Sequence, residues 1–341
     1  MKKEVTIYDI AKTLNLSAST VSRALKNKTV INEDTRKRVL RCAEEMGYRS
    51  NAFASNLRTK RTNTIGIIVP RLDSNFMSAC LAGMEEVANN KGYNVIISQS
   101  HESVIREEQN TSTMYNNRVD GIIASLTIEE SDLSYFERFK QKNVPVVFFD
   151  RVPDDSDNVC FVIDNCKASY IASKHLIEQG CRNLLHVTIK SSLNVYVDRM
   201  KGFMKAIDEC PDCNGEVLYI DSLSLLGGQN SAKIIVENKF NPDGIFVAND
   251  MAAVGCMNAL IEYGFDVPGQ IAFVGFNNDV VSTIVSPQLT TVNYPGREAG
   301  MLAAKSLIDY LNGESNIEYA RKVELNAYLI IRASSHKLNN T

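Results

Sequence analysis

Apolar positions recur at helical spacing in three short stretches of the first 50 residues, each opened by polar residues suited to capping. Thr6-Ile7-Tyr8-Asp9 sets an acid three residues after a threonine, a capping box that predicts a helix over 7–14. Asn15-Leu16-Ser17 interrupts it, and Ser17 is suited to cap a second helix running to about Leu25. Asn32-Glu33-Asp34 opens a third, acidic at its positive end, with Val39, Ala43 and Met46 on one face and Gly47 ending it. Ala11, Leu14, Leu16, Val21 and Leu25 supply the partners of that face, which is enough for a small core.

Residues 51–63 are polar, basic and only weakly amphipathic. An isolated helix this short is marginal in water, where about 12–15 residues are needed, so the stretch reads as a linker that becomes helical on binding. From residue 64 the pattern switches to strand then helix, repeatedly. Apolar, β-branched runs predict strands over 65–70, 94–100, 121–125, 144–150, 184–189, 217–221, 244–249 and 271–276. Most lack alternation, as in parallel strands buried on both faces. Helical segments fall between them, at 79–90, 168–179, 197–210, 231–237 and 251–263. The result is a doubly wound α/β architecture, and its roughly 270 residues suit two lobes better than one sheet.

Overall composition is globular, 44% hydrophobic and 23% charged, and the net charge of −3 hides an asymmetry. Residues 1–62 hold 14 Lys+Arg against 6 Asp+Glu, a net +8; the remainder holds 23 against 34, a net −11. A basic head on an acidic body suits nucleic-acid binding by the head. The N-terminus lacks an apolar signal region and no apolar run approaches the roughly 20 residues of a membrane span, which predicts a cytoplasmic protein. Eight scattered cysteines read as reduced, mostly buried thiols. Cys210-Pro211-Asp212-Cys213 is a lone pair without two further ligands, read as a surface turn and not as a metal site.

Thr6-Ile7-Tyr8-Asp9-Ile10-Ala11, followed by Leu16-Ser17-Ala18-Ser19-Thr20-Val21-Ser22-Arg23, resembles the headpiece signature of the lactose-repressor (LacI/GalR) family. Colinear matches continue through Gly47-Tyr48, Asn51-Ala52, Thr64-Ile65-Gly66-Ile67, Val119-Asp120-Gly121, Asp198-Arg199-Met200, Ala248-Asn249-Asp250 and Val274-Gly275-Phe276-Asn277 to Pro287-Gln288-Leu289-Thr290-Thr291, almost the whole chain. The resemblance implies an all-α helix-turn-helix headpiece (1–50), a hinge helix (51–63), and a two-lobed α/β core of periplasmic-binding-protein type (64–333) that the chain crosses three times. The lobes would be 64–163 with 294–323, and 164–293 with 324–333, leaving 334–341 as a tail.

A helix-turn-helix sends its second helix into the major groove. Ala18, Ser19 and Ser22 fall at the base-reading positions, and Arg23 is the best donor to guanine or phosphate. The resemblance implies that Thr6, Tyr8, Ser17, Thr20, Asn32 and Tyr48 contact phosphates or orient the helix. In the hinge it implies DNA contacts from Asn51, Ala54, Leu57 and Arg58, with Leu57 an apolar wedge between base steps in the minor groove. Ser50 departs from the proline common before Asn51, so the hinge starts without that residue's fixed φ.

Ligands of open α/β sheets sit beyond the carboxyl ends of the strands. Asp150-Arg151, Asn249-Asp250 and Asn277-Asn278 end predicted strands, and Arg199 lies at a helix start facing the same cleft. By resemblance Asp150, Arg199, Asn249 and Asn277 match effector-bonding positions, and Phe76 an aromatic that packs on a ring or sugar face. Arg151 and Asp250 join them as candidates, although Asp250 serves equally well as a helix cap. Asn277 departs from the aspartate often found there. Such a mix suits sugar hydroxyls.

Two rival readings lack their signatures. A secreted sugar-binding protein needs a signal peptide and no helix-turn-helix; a nucleotide-using enzyme needs a phosphate-binding glycine loop, and neither G-x-x-x-x-G-K-[ST] nor a post-strand G-x-G-x-x-G occurs. The four histidines sit in no catalytic motif. The expectation is a non-enzymatic homodimer without cofactor, metal or membrane. Its partners are a near-palindromic DNA duplex and a small-molecule effector, a sugar by default, with a nucleobase or other metabolite as the alternative. With no leucine heptad after Arg332, no tail-built tetramer is expected.

Overall fold

The structure is a computed structural model that describes residues 5–25, 31–48, 61–129, 132–154, 157–315 and 322–337. It divides into two compact units, residues 1–62 and 63–341.

In the first unit the predicted punctuation operates. α1 (Ile7–Leu14) is opened by Thr6, whose backbone N–H donates to Asp9 Oδ2 at 2.8 Å, and closed by Asn15 in the left-handed region. α2 (Ala18–Leu25) is capped by Ser17 Oγ, which accepts from the Thr20 N–H at 3.1 Å. α3 (Glu33–Glu45) is capped by Asn32 Oδ1, which accepts from the Asp34 N–H at 2.9 Å. The core centres on Ile10, Val21, Ala24, Val39, Cys42 and Ala43, with Leu14, Leu16, Leu25 and Met46 only partly buried around it. Periodicity alone missed Ile10, Ala24 and Cys42.

The second unit holds two six-stranded sheets. The first contains β1 (Thr64–Val69), β2 (Asn94–Gln99), β3 (Gly121–Ala124), β4 (Val146–Phe149), β5 (Val159–Ile163) and β11 (Lys322–Leu325), in the order β11-β5-β4-β3-β1-β2 and parallel throughout. The second contains β6 (Asn183–Thr188), β7 (Asn214–Tyr219), β8 (Gly244–Val247), β9 (Ala272–Asn277), β10 (Thr290–Asn293) and β12 (Tyr328–Ile330), in the order β12-β10-β9-β8-β6-β7, with β12 antiparallel at the edge. The chain crosses between sheets after β5, after β10 and after β11. Four strands, β5, β10, β11 and β12, were not among the runs picked out by hydrophobic pattern. Two expected boundaries also move. β11 stays with the first sheet to Leu325, two residues beyond the expected switch at 323. The expected tail begins as structure: Ser334 exchanges backbone hydrogen bonds with Gln288 and Phe273, so residues 334–337 cover the second sheet.

Helices on the sheet faces are α4 (Asn75–Asn90), α5 (Val104–Asn116), α6 (Ser134–Lys140), α7 (Asn165–Glu178), α8 (Asn194–Asp208), α9 (Leu225–Glu237), α10 (Asp250–Glu262), α11 (Val281–Ile284) and α12 (Gly296–Leu311). Three pairs pack backbone to backbone through glycine. A Cβ at Gly300 of α12 would lie 2.0 Å from the Cys80 carbonyl oxygen of α4, and one at Gly83 would lie 2.2 Å from the Arg297 oxygen. Gly228 and Gly255 do the same between α9 and α10, and Gly202 of α8 faces the Cys166 oxygen of α7. Gly300→Ala therefore forces two helices apart. It is expected to cost about 2–3 kcal/mol in denaturant unfolding despite alanine's helix propensity, which offsets about 1 kcal/mol. A neutral or stabilising result would show that α12 can shift without loss.

The cysteine expectation needs correction at one place. The turn after α8, in which the Cys213 N–H donates to the Cys210 carbonyl, brings the two Cα atoms to 5.3 Å, and the pair forms a disulfide. The other six cysteines are free, five of them buried. No helix among the described residues is long and apolar enough to cross a membrane.

Candidate functional site

Two sites emerge, one in each unit. On the headpiece, Val21 and Ala24 of α2 turn into the core, so the opposite side of the helix is left for other work. Ser19 and Arg23 are exposed, Ser22 and Thr20 half-buried, and Ala18 packs partly against the core. Ser17 Oγ lies 2.8 Å from both the Ser19 and the Thr20 hydroxyls, a three-hydroxyl cluster at the helix N-terminus. Tyr8 is 71% exposed, a large aromatic held clear of the core. Thr6 and Asn32 are exposed caps, and Tyr48 packs partly against the headpiece core. Asn51, Ala54, Leu57 and Arg58, with Ser50, lie outside the described residues.

In the second unit the carboxyl ends of the strands bring polar side chains together where the lobes meet. Asp150 follows β4 with φ +59°, and Asn277 ends β9 at +109°, with Asn278 next at +56°. Left-handed backbone at non-glycine residues clusters at functional sites because the surrounding fold must enforce it. Arg199 is not at a helix start, as its sequence suggested; α8 begins at Asn194, so Arg199 sits inside it, 5% exposed. Its Nε donates to Asn165 Oδ1 at 2.9 Å, its Nη1 donates to the Ala248 carbonyl at 2.7 Å, and its guanidinium lies 3.6 Å from the Phe276 ring centroid. Burial pushes the Asp150 carboxyl up, and Arg151 and Arg199 pull it partly back toward the charged form. Burial likewise pulls Arg199 down, with Asp150 opposing.

Phe76, near the start of α4, meets the Tyr294 ring at a centroid distance of 4.2 Å with the planes tilted by 36°, and both line a cavity of about 520 Å³ with Asn277, Asn278, Arg297 and Met301. The Tyr294 hydroxyl is buried and raised well above its ordinary range by burial and by Asp150. The two side chains influence each other's titration, yet Tyr294 makes no hydrogen bond of normal geometry.

Three predicted residues do other work. Asn249 is the N-cap of α10, its Oδ1 accepting from the N–H groups of Met251 and Ala252 at 2.7 and 3.2 Å. Asp250 is withdrawn from the cleft altogether: fully buried, its Oδ2 accepts from the Asp279 N–H at 2.7 Å and its Oδ1 lies 2.6 Å from Thr291 Oγ1. Capping is assigned to the residue before it, which frees Asp250 to tie α10 to β10. Arg151 turns to Glu102 and Tyr196 instead of to open space.

Sequence reasoning missed a set of buried hydroxyls. Ser100, Ser125, Thr127 and Thr188 have no hydrogen-bond partner for their side-chain oxygens among the described residues. Buried polar groups are normally paired, so such atoms mark places where a ligand or water completes the bonding. Ser100 and Ser125 directly follow β2 and β3, and the rule that selected Asp150 would have found them too. Tyr294 follows β10, a strand the pattern did not reveal.

Comparison with known proteins bears on both units. Residues 6–51 match the lacI family of bacterial regulatory proteins, and residues 173–335 match a periplasmic binding protein-like domain. The transcriptional regulator RegA of Clostridium saccharobutylicum is 33% identical over 309 residues, covering 90% of this chain and 92% of the relative. Catabolite control protein A of Priestia megaterium is 32% identical, covering 91% and 94%. Among solved structures, the Lac repressor dimer bound to operator and the anti-inducer ONPF superposes with a TM-score of 0.87 at 24% identity, covering 98% of this chain and 99% of that one.

Proposed function

The chain belongs to the lacI family of bacterial regulatory proteins and is a DNA-binding transcriptional regulator, not an enzyme, and from that premise we propose that it is a repressor whose grip on its operator is set by a sugar bound between the lobes. The headpiece side is carried by the exposed surface of α2. Ser19, Ser22 and Arg23, with Ala18, read base edges, while Thr6, Tyr8, Ser17, Thr20, Asn32 and Tyr48 hold phosphates. Asn51, Ala54, Leu57 and Arg58 contact DNA where the paired hinges meet the central minor groove, with Leu57 as the wedge and Arg58 on a phosphate. Two copies act as a homodimer on a near-palindrome in the cytoplasm, matching protein symmetry to operator symmetry.

The observation that most supports the effector site is the buried group of Asp150 and Tyr294, which follow β4 and β10, with Arg199 from α8. A carboxylate, a guanidinium and a hydroxyl, backed by the unpartnered Ser100 and Ser125, can donate to and accept from several sugar hydroxyls at once. The Phe76–Tyr294 aromatic pair favours a second reading, a flat nucleobase lying against one of the rings. Either ligand acts by binding one lobe arrangement more tightly than the other.

A gel-shift titration on fragments flanking the gene tests this. The full chain is expected to shift one fragment, lose it as salt rises, and respond to one member of a sugar and nucleobase panel. A chain lacking residues 1–62 is expected to bind at least about a hundredfold more weakly, since specific binding exceeds non-specific by about 10³ or more. Equal binding by the shortened chain would remove the headpiece from the mechanism.

A further inference from the structure

Arg151 looked like a ligand contact from its place after a strand, but its partners lie elsewhere. Its Nη1 donates to both Glu102 oxygens at 3.0 and 2.8 Å, within the first lobe. Its Nη2 donates to the Tyr196 hydroxyl at 3.0 Å, on α8 of the second lobe, with the guanidinium 5.7 Å from that ring's centroid. Beside it Asn194, the first residue of α8, makes two more bonds across the cleft. Its Oδ1 accepts from the Val152 N–H at 3.1 Å, and its Nδ2 donates to the Asp150 carbonyl at 3.0 Å. Leu193, just before α8, packs against apolar clusters of both lobes. Three interlobe hydrogen bonds thus converge on residues 150–152, the segment that opens with Asp150 at positive φ and carries its carboxyl.

We infer that Arg151, Asn194 and Tyr196 form a clasp that selects the closed arrangement of the lobes, with Arg151 a positioning residue that Glu102 holds ready rather than a contact of the ligand. The chemistry supports this division. The guanidinium fork can satisfy a carboxylate on one side and a hydroxyl on the other at once, which a lysine cannot. A charge-assisted bond with only a small exposed area is screened little by solvent. Closing the clasp also fixes the Asp150 backbone from outside the pocket. Lobe closure and the placement of the candidate ligand carboxyl therefore become one event, a two-state element of the kind a ligand can bias. The consequence for DNA control rests on the effector reading above; the clasp itself does not.

The test uses hydrogen–deuterium exchange of the full chain alone, without DNA or effector, in Tyr196→Phe, Asn194→Ala and the double variant. Tyr196→Phe removes one hydroxyl and keeps the ring beneath Arg151, so its Tm is expected to fall by no more than about 3 °C. Exchange in segments 126–128 and 193–197, one on each lip, is expected to rise at least about threefold in each single variant and further in the double. Sheet segments 65–69 and 245–248 keep their protection. Unchanged lips in the double variant, or a rise shared equally by the sheets, overturns the clasp. A chain that binds no DNA and no sugar would sink the proposed function yet leave this measurement readable.

Discussion

Arg199→Ala is expected to abolish the effector response and to lower the unfolding free energy by about 3–5 kcal/mol, the usual result of removing one partner from a buried charged group. The guanidinium does three things that alanine cannot. It satisfies the Ala248 carbonyl and the Asn165 amide oxygen, it covers the Phe276 ring, and it offsets the charge of the buried Asp150. Arg199→Lys separates stability from response. Lysine keeps a positive charge facing Asp150 and restores part of the stability, but its single ammonium cannot reproduce the fork that reaches Asn165 and Ala248 together. Denaturant melts and gel shifts with the responsive ligand measure the two effects. A lysine variant that answers the effector like the parent would take Arg199 out of the site.

The second large effect concerns pH. Burial pushes Asp250 up to about 8, with nearby Asp279 adding to the rise, while Thr291 and backbone N–H groups oppose it. In the unfolded chain the same carboxyl has an ordinary value near 3.8. Between those two values the folded chain keeps a proton that the unfolded chain has released, so stability is full below about pH 4 and falls as pH rises toward 8. The slope is on the order of 1.4 kcal/mol per pH unit at most. Asp250→Asn keeps the shape and removes the ionisation: its oxygen accepts from the Asp279 N–H, and the Thr291 hydroxyl, which donates to Asp250 Oδ1 in the parent, turns to accept from the new amide. The variant is expected to fold, and to be more stable than the parent at pH 8 by several kcal/mol. Asp279, pushed up to about 6 by burial, leaves a residual slope at lower pH in both proteins, so the comparison is cleanest from pH 6 to 8. Urea unfolding across that range decides it; parallel curves for parent and variant would show that Asp250 is ionised in the folded protein.

Local chemistry made much of this protein legible. A side chain two or three residues from a helix start either can or cannot reach a backbone N–H, which is why Thr6, Ser17 and Asn32 announced the three headpiece helices. Unbroken apolar runs marked the central strands for a similar reason: a strand covered on both faces has no polar side to show. The same rule located Asp150 and Asn277 at strand ends.

Tertiary structure alone decided what depended on distant partners. β11 carries two charged residues in four, and β12 is three residues long; each becomes a strand only because β5 and β10 offer an edge. Ser334 belongs to the second sheet through Gln288 and Phe273, some 45 and 60 residues away. Asp250 and Arg151 follow strands closely enough in sequence to be read as cleft residues, yet they were drawn off by Thr291 and Asp279, and by Glu102 and Tyr196. A capping bond or a buried run is settled within a few residues of chain, whereas the direction a charged side chain takes is settled by whichever opposite group the fold carries within hydrogen-bond reach.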